Sequence, residues 1–374
     1  MKSTMTIIFL TCMLSGCVDD LATNKSMIAV GTYTKTEGHV DGKAEGIYLI
    51  EMDHNSGKLR IIDTIKNVVN PSYLSIADQS IYAVNELADS SDQPIGTMTK
   101  IDLNDPQQRK TIKVGGNAPC HITISPDNRF AITSNYVNTV SLIDISDDLS
   151  LKEVIIHKGN VNGPPRQESP HPHMSIWGPD NKTLLVSDLG LDQIIHYTIQ
   201  KSALIEHGRT NITSGGGPRH MTMDNSTGIV YVLNELNHTI ESYSWTDATT
   251  SMTRLQTIST LDNGVVNPNV KCSAIHLHPS GEFLYAANRG VNGDPEQSIT
   301  AFKVNDDNTL SIIDRYPSKG LIPRDFAISP DGDFLLVANQ NSDNIVVYKV
   351  QQDGTLIDVN VALKIKTPVC LKFY

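Results

Sequence analysis

The chain has little of what other architectures and chemistries require. Five cysteines are spread over 374 residues with no Cys-x-x-Cys pair, so no thiolate metal site of the usual spacing is written into it. Cys12 and Cys17 fall in the first residues; Cys120, Cys272 and Cys370 remain, an odd number, and read as buried free thiols. Basic residues are outnumbered, 30 Lys and Arg against 41 Asp and Glu, for a formal net charge of −11. There is no basic stripe and no run of like charge, which argues against non-specific nucleic-acid binding, since that needs clustered Lys and Arg. Long hydrophobic runs are missing too. The one candidate, MTIIFLTCML from Met5, is too short to span a bilayer. Beyond it no segment carries a helical pattern. Apolar content is a modest 39%.

What the chain has instead is a repeat. An inner-strand pattern recurs as NPSYLSI from Asn70, APCHITISPD from Ala118, SPHPHMSIWGPD from Ser169, GPRHMTMDNSTG from Gly217, KCSAIHLHPSG from Lys271 and IPRDFAISPDG from Ile322. Each runs into a second apolar strand ending at Asn85, Asn135, Asp188, Asn234, Asn288 or Asn339. A period of about fifty residues with several short strands per unit is the mark of a propeller. Third strands follow in register, among them TVSLIDI, QIIHYTI and NIVVYKV. Their alternation and content of Val, Ile and Tyr are those of β-structure. Length alone suggests two or three domains; the uninterrupted repeat makes one ring.

The seventh copy is split. The C-terminal TPVCLKFY matches an inner strand without its partner, and MIAVGTY from Met27 matches the partner without an inner strand. Joining them closes an all-β, seven-bladed propeller over residues 27–374, its last blade built from both chain ends. Closure removes the exposed sheet edges.

The first residues read as an address. Lys2, the apolar stretch and Leu14-Ser15-Gly16-Cys17 resemble a bacterial lipobox, with residues 1–16 a signal peptide and Cys17 lipidated. Residues 17–26 then form a polar tether, and the protein is anchored to a membrane of the cell envelope without spanning it. The alternative is an ordinary secretory signal with an incidental cysteine. If there is no export at all, the protein is cytoplasmic.

Because inner and second strands are antiparallel, the start of one lies beside the end of the other. One mouth of the ring therefore collects Ser72-Tyr73, Cys120-His121, Pro172-His173, Arg219-His220, Ser273-Ala274, Arg324-Asp325 and Val369-Cys370. It also collects Glu86, Tyr136, Leu189, Glu235, Arg289 and Gln340. Blade three needs one extra residue near Trp177-Gly178 to keep register. The terminal asparagines read as acceptors of turn hydrogen bonds. Arg219, Arg289 and Arg324 could pair with Glu235 or Asp325, but converging guanidiniums suit an anionic ligand, whose carboxylate or phosphate matches their fork. Cys120 beside His121 does not by itself supply a nucleophile's geometry. Acids spread over separate blades imply no metal, and no cofactor is implied. Rim residues are expected to contribute little to the core.

Five motifs in order, RQESPHPH from Arg166, SDLGLDQI ending at Ile194, GPRH from Gly217, NEL from Asn234 and ANRG from Ala287, resemble the bacterial seven-bladed lactonase family. That family holds the propeller-type 6-phosphogluconolactonases and the carboxymuconate lactonizing enzyme. The resemblance implies a metal-independent lactonase acting on a small anionic sugar-acid lactone. Its rim cluster falls on His173, Arg219, Glu235 and Arg289, with His171 the alternative to His173, His173 or Glu235 as general base and the arginines on the oxyanion or a substrate carboxylate. Arg166, His171, His220, Arg324, His121 and Gln340 are the expected substrate-binding residues. A carboxymuconate-type cycloisomerase and a non-catalytic envelope propeller that binds a ligand or protein are the other two readings. An export signal departs from the cytosolic setting of the sugar-phosphate enzymes.

Overall fold

A computed structural model describes residues 24–38, 40–88, 93–163, 165–245, 251–261, 264 and 266–374. Cys17 and the leader lie outside the described residues. Seven four-stranded antiparallel sheets form the blades, and no α-helix occurs among the described residues. Blades 1 to 6 follow chain order, with inner strands Pro71–Ala77, Asn117–Ile124, Pro172–Trp177, Pro218–Asp224, Val270–Leu277 and Pro323–Ile328. Blade 7 takes its inner strand, Pro368–Phe373, from the C-terminus and the other three from the N-terminus. Val30 pairs with Leu371 across the closure. The first strand, Lys25–Thr32, starts two residues before the expected Met27: Lys25 and Ser26 pair with Asp53 and Met52. The ring thus takes in the last residues of the segment read as tether.

The second strands of blades 1, 3, 4, 5 and 6 are buried along their whole length, as for LLVAN, because both faces pack on neighbouring blades. In blade 7, Ile28 and Val30 pack with Leu336 and Ala338 of blade 6. Ala29 between them packs with Leu74 and Ala83 of blade 1. The period of two thus serves two interfaces at once. Each blade also has a fourth, outer strand that the repeat pattern did not reveal. In Leu59–Lys66 most positions are exposed, so no buried face imposes alternation on the sequence. Hairpin tokens such as Ser-Pro-Asp-Gly end on a left-handed residue, Gly332 at φ 82° and Asn128 at φ 56°, the conformation that Gly and Asn tolerate.

Every inner strand is bulged where it reaches the mouth. Blade 4 pairs Pro218 with Asn234 and His220 with Leu233, leaving Arg219 as the extra residue. Ser72, Cys120, His173 and Arg324 hold the same position in blades 1, 2, 3 and 6, and Val369 in blade 7. A bulge breaks the alternation and re-aims a side chain. The extra residue expected near Trp177-Gly178 does not exist. SPHPH offers two prolines, and Pro172 rather than Pro170 leads the strand, pairing with Asp188. His173 is therefore the counterpart of Arg219, not of His220.

Candidate active site

Blades 3, 4 and 5 bring three arginines onto one carboxylate. Glu235, 1% exposed, follows the second strand of blade 4. Its Oε2 accepts from Arg219 Nε at 3.0 Å and Arg289 Nη2 at 2.9 Å. Arg166 Nη2 lies 2.9 Å from Oε1. Arg219 also donates to the Ser273 carbonyl. Burial by itself would raise the Glu235 carboxyl; Arg166, Arg289, Arg219 and Arg324 outweigh it and hold the group at about 2. Burial, then repulsion from Arg324, lowers Arg219 to about 10, so it stays charged at neutral pH. Arg166 Nε, Arg289 Nε and Glu235 Oε1 are buried and make no hydrogen bond. Buried donors without acceptors are costly, and an anionic ligand would satisfy them.

Loops set these side chains. Arg166 sits in the left-handed region at φ 72°, in a turn closed by a bridge between Gly163 and Gln167. Gln167 Nε2 donates to Leu189 O and Asp192 Oδ1, both at 2.7 Å. Asp192 also accepts from the Gly215 and Gly217 amides at 2.7 and 2.8 Å. One buried aspartate thereby staples the Arg166 turn to the loop leading into Arg219. It lies within SDLGLDQI, yet its role needed the fold to be visible.

His173 is buried and neutral. Burial first, then Arg219, Arg324, Arg166 and Arg289, push its pKa well below 6.5. Its Nδ1 lies 3.9 Å from Cys120 Sγ. His171 turns aside, stacking on Tyr136 at 4.2 Å and bonding the Tyr136 carbonyl at 2.8 Å. The Arg166 guanidinium lies over the same Tyr136 ring, 5.2 Å from its centroid. His121 and His220 are also buried, in a ring cluster with Tyr73: Tyr73 to His121 is 4.3 Å and His173 to His220 is 5.5 Å between centroids. Cys120 is buried and its thiol is pushed up by that burial, which opposes a nucleophilic role.

Arg324 lines a small cavity, with room for about one water molecule, together with Tyr33, Ser72, Glu86, Cys120, Arg219 and His220. It does not pair with Asp325, whose carboxylate instead meets His276 Nε2 at 3.2 Å and the Leu371 amide at 3.1 Å. Gln340 is not drawn into the arginine cluster; its amide donates to Asn341 at 2.9 Å. The strand-end asparagines do bond structurally, though to strand hydroxyls as well as turns: Asn135 Nδ2 meets Thr139 and Ser141. Among the described residues, no group of three His, Cys, Asp or Glu is arranged to hold a metal ion.

Residues 27–373 match the model of a family described as lactonase, seven-bladed beta-propeller. The chain belongs to the propeller lactonase family. Among the relatives of this propeller lactonase is the 6-phosphogluconolactonase of Bacillus subtilis, 28% identical over 92% of this chain and 97% of its own length. The 6-phosphogluconolactonase of Formosa agariphila is 30% identical over 81% of this chain and 88% of its own. Among solved structures, the periplasmic gluconolactonase of Pseudomonas aeruginosa superposes with a TM-score of 0.81 at 26% identity, covering 93% of this chain and 99% of its own.

Proposed function

We propose that this propeller lactonase hydrolyses the lactone of a sugar acid, 6-phosphogluconolactonase-like, with the substrate's anionic group held in the arginine-lined mouth. The observation that carries it is the excess of guanidinium over carboxylate. Arg166, Arg219 and Arg289 share one glutamate, and Arg324 lines the adjoining cavity with Arg219 and Glu86, four guanidiniums against two carboxylates. Two of these arginines keep buried Nε donors without acceptors. Hydrolysis develops negative charge on the carbonyl oxygen, and preorganised donors in a dry site stabilise it without reorganisation. Arg219 and Arg289 are assigned to that oxyanion, and Arg324 and Arg166 to the substrate's own anionic group. His173, neutral, serves as a hydrogen-bond partner for the ring. The reaction needs no metal on this reading.

We also propose that Cys17 carries a lipid anchor and that the ring works in the cell envelope, as a membrane-tethered counterpart of the periplasmic relative from Pseudomonas aeruginosa. Support comes from the lipobox-like Leu14-Ser15-Gly16-Cys17. Cys17→Ser should release the protein from the membrane fraction with its activity intact; wild-type protein recovered in the cytosol with Met1 retained would refute the anchor. Activity is tested by following acid release from gluconolactone and 6-phosphogluconolactone, with and without EDTA. Hydrolysis of both is expected, with higher kcat/KM for the phosphorylated lactone and no effect of EDTA. A purified protein that hydrolyses neither would exclude the proposal.

A further inference from the structure

Glu235 and His173 are both poorly placed to take a proton from water. Both oxygens of Glu235 face guanidiniums at 3.0 Å or less, and a carboxylate held at about 2 is a weak base near neutral pH. His173 is buried beside the Cys120 thiol, under the field of four arginines. The mouth holds a second carboxylate. Glu86 follows the second strand of blade 1, as Glu235 follows that of blade 4. It is 7% exposed and lines the cavity together with Arg219 and Arg324. The fully buried Tyr33, from blade 7, donates its hydroxyl to Glu86 Oε2 at 2.7 Å. Ser72, the bulged residue of blade 1, lines the same cavity, and its buried Oγ has no hydrogen-bond partner. A buried hydroxyl without a partner beside a carboxylate points to a bound molecule that completes it.

We infer that Glu86, oriented by Tyr33, is the general base of the lactonase, while Glu235 is a strut that sets the arginines. The step balances simply. Glu86 takes a proton from water as the water oxygen bonds to the lactone carbonyl carbon. The carbonyl oxygen becomes an oxyanion beside Arg219. Collapse breaks the ring C–O bond, and the proton on Glu86 passes to the departing alkoxide. The product is the hydroxy acid, whose carboxyl proton goes to solvent. Ser72 Oγ donates to the attacking water or to the ring oxygen.

This assignment rests on the lactonase function proposed above, and one set of assays separates the two. Wild-type protein and the Glu86→Gln variant are compared on the lactone that wild type hydrolyses, with water and with hydroxylamine as nucleophile, after subtraction of the uncatalysed rates. Hydroxylamine attacks as a neutral amine and needs less help from a base. Glu86→Gln should lower kcat for hydrolysis by about a hundredfold or more, keep KM within about threefold, and retain most hydroxylaminolysis. Arg219→Lys should lower both reactions together, since each passes through an oxyanion. If Glu86→Gln does not fold, Tyr33→Phe is read instead, with about a tenfold loss in kcat at unchanged KM. Hydrolysis within threefold of wild type in the folded Gln variant, or in Tyr33→Phe when that stands in, overturns the role of Glu86 alone, as does an equal loss of hydrolysis and hydroxylaminolysis. A wild-type protein without lactonase activity overturns both the role and the function.

Discussion

Glu235 carries its charge because arginines surround it, and those arginines tolerate one another because Glu235 is there. Removing it is therefore costly. Glu235→Gln strands two buried guanidiniums, Arg219 at 2% and Arg289 at 8% exposure, and breaking a buried pair from one side costs about 3–5 kcal/mol. A clear fall in Tm is expected, which differs from the expectation that rim residues leave stability untouched. Arg219 is in fact among the largest fully buried side chains of the molecule. Arg219→Lys or Arg289→Lys keeps the charge and loses the planar fork. Turnover should fall by about a hundredfold, the scale for one oxyanion donor. Turnover within threefold of wild type in both variants would remove the arginines from the chemistry. Residue types at the mouth were legible from the repeat; their pairings were not. Nothing in the sequence says that Glu235 binds three arginines while Asp325 goes to a histidine.

At the level of strands and loops, the bulge at each inner-strand start is what turns a strand end into a site. It sets Ser72, His173, Arg219 and Arg324 at equivalent positions around the mouth. Gly190 guards one of the loops behind it. A Cβ there would lie 1.8 Å from the Ser169 carbonyl oxygen, too close for any real contact. Gly190→Ala should push the segment carrying Arg166 and His171 out of place, raising KM about tenfold or more while the ring stays folded; an unchanged KM would show that the loop gives way freely. The closing strand is a sterner case. Deleting Lys366 to Tyr374 removes Val369 and Leu371, 4% and 2% exposed, each contributing roughly 1.5–3 kcal/mol. It also opens the sheet edge at Val30. Insoluble protein is expected, and soluble, cooperatively unfolding material would contradict the split blade.

For the whole molecule, acid should be the weak side. His121, His173 and His220 are held well below 6.5, by burial first and by neighbouring cations next. The folded chain leaves them neutral where the unfolded chain takes up protons. Their contribution to stability is therefore intact above 6.5 and is lost as pH falls below it, by about 1.4 kcal/mol per pH unit for each group. Glu235 adds to this at lower pH. Its pKa is depressed, so its share is present above 4.5 and disappears toward about 2. Thermal melts from pH 8 to pH 5 should show a steep loss of Tm beginning near 6.5, and His220→Gln should flatten it. A Tm independent of pH over that range would mean the histidines are solvated or already charged.

The order of the three inner strands of each blade, the number of blades and the closure by both chain ends were settled by the sequence alone. A repeat fixes neighbours, and a ring of neighbours has one solution. Local signals also named the mouth and most of its titratable groups, because strand ends fall at fixed places in the repeat. The tertiary structure decided the rest. It set the register of blade 3, where two prolines competed. It placed the outer strands, whose wet faces leave no period. It revealed the staple made by Asp192 and the pairing of Tyr33 with Glu86, which joins residues 53 positions apart from different blades. Such contacts depend on bulges and loop paths that no spacing encodes. The chemistry of a propeller mouth is set there, by side chains that meet only once the ring is closed.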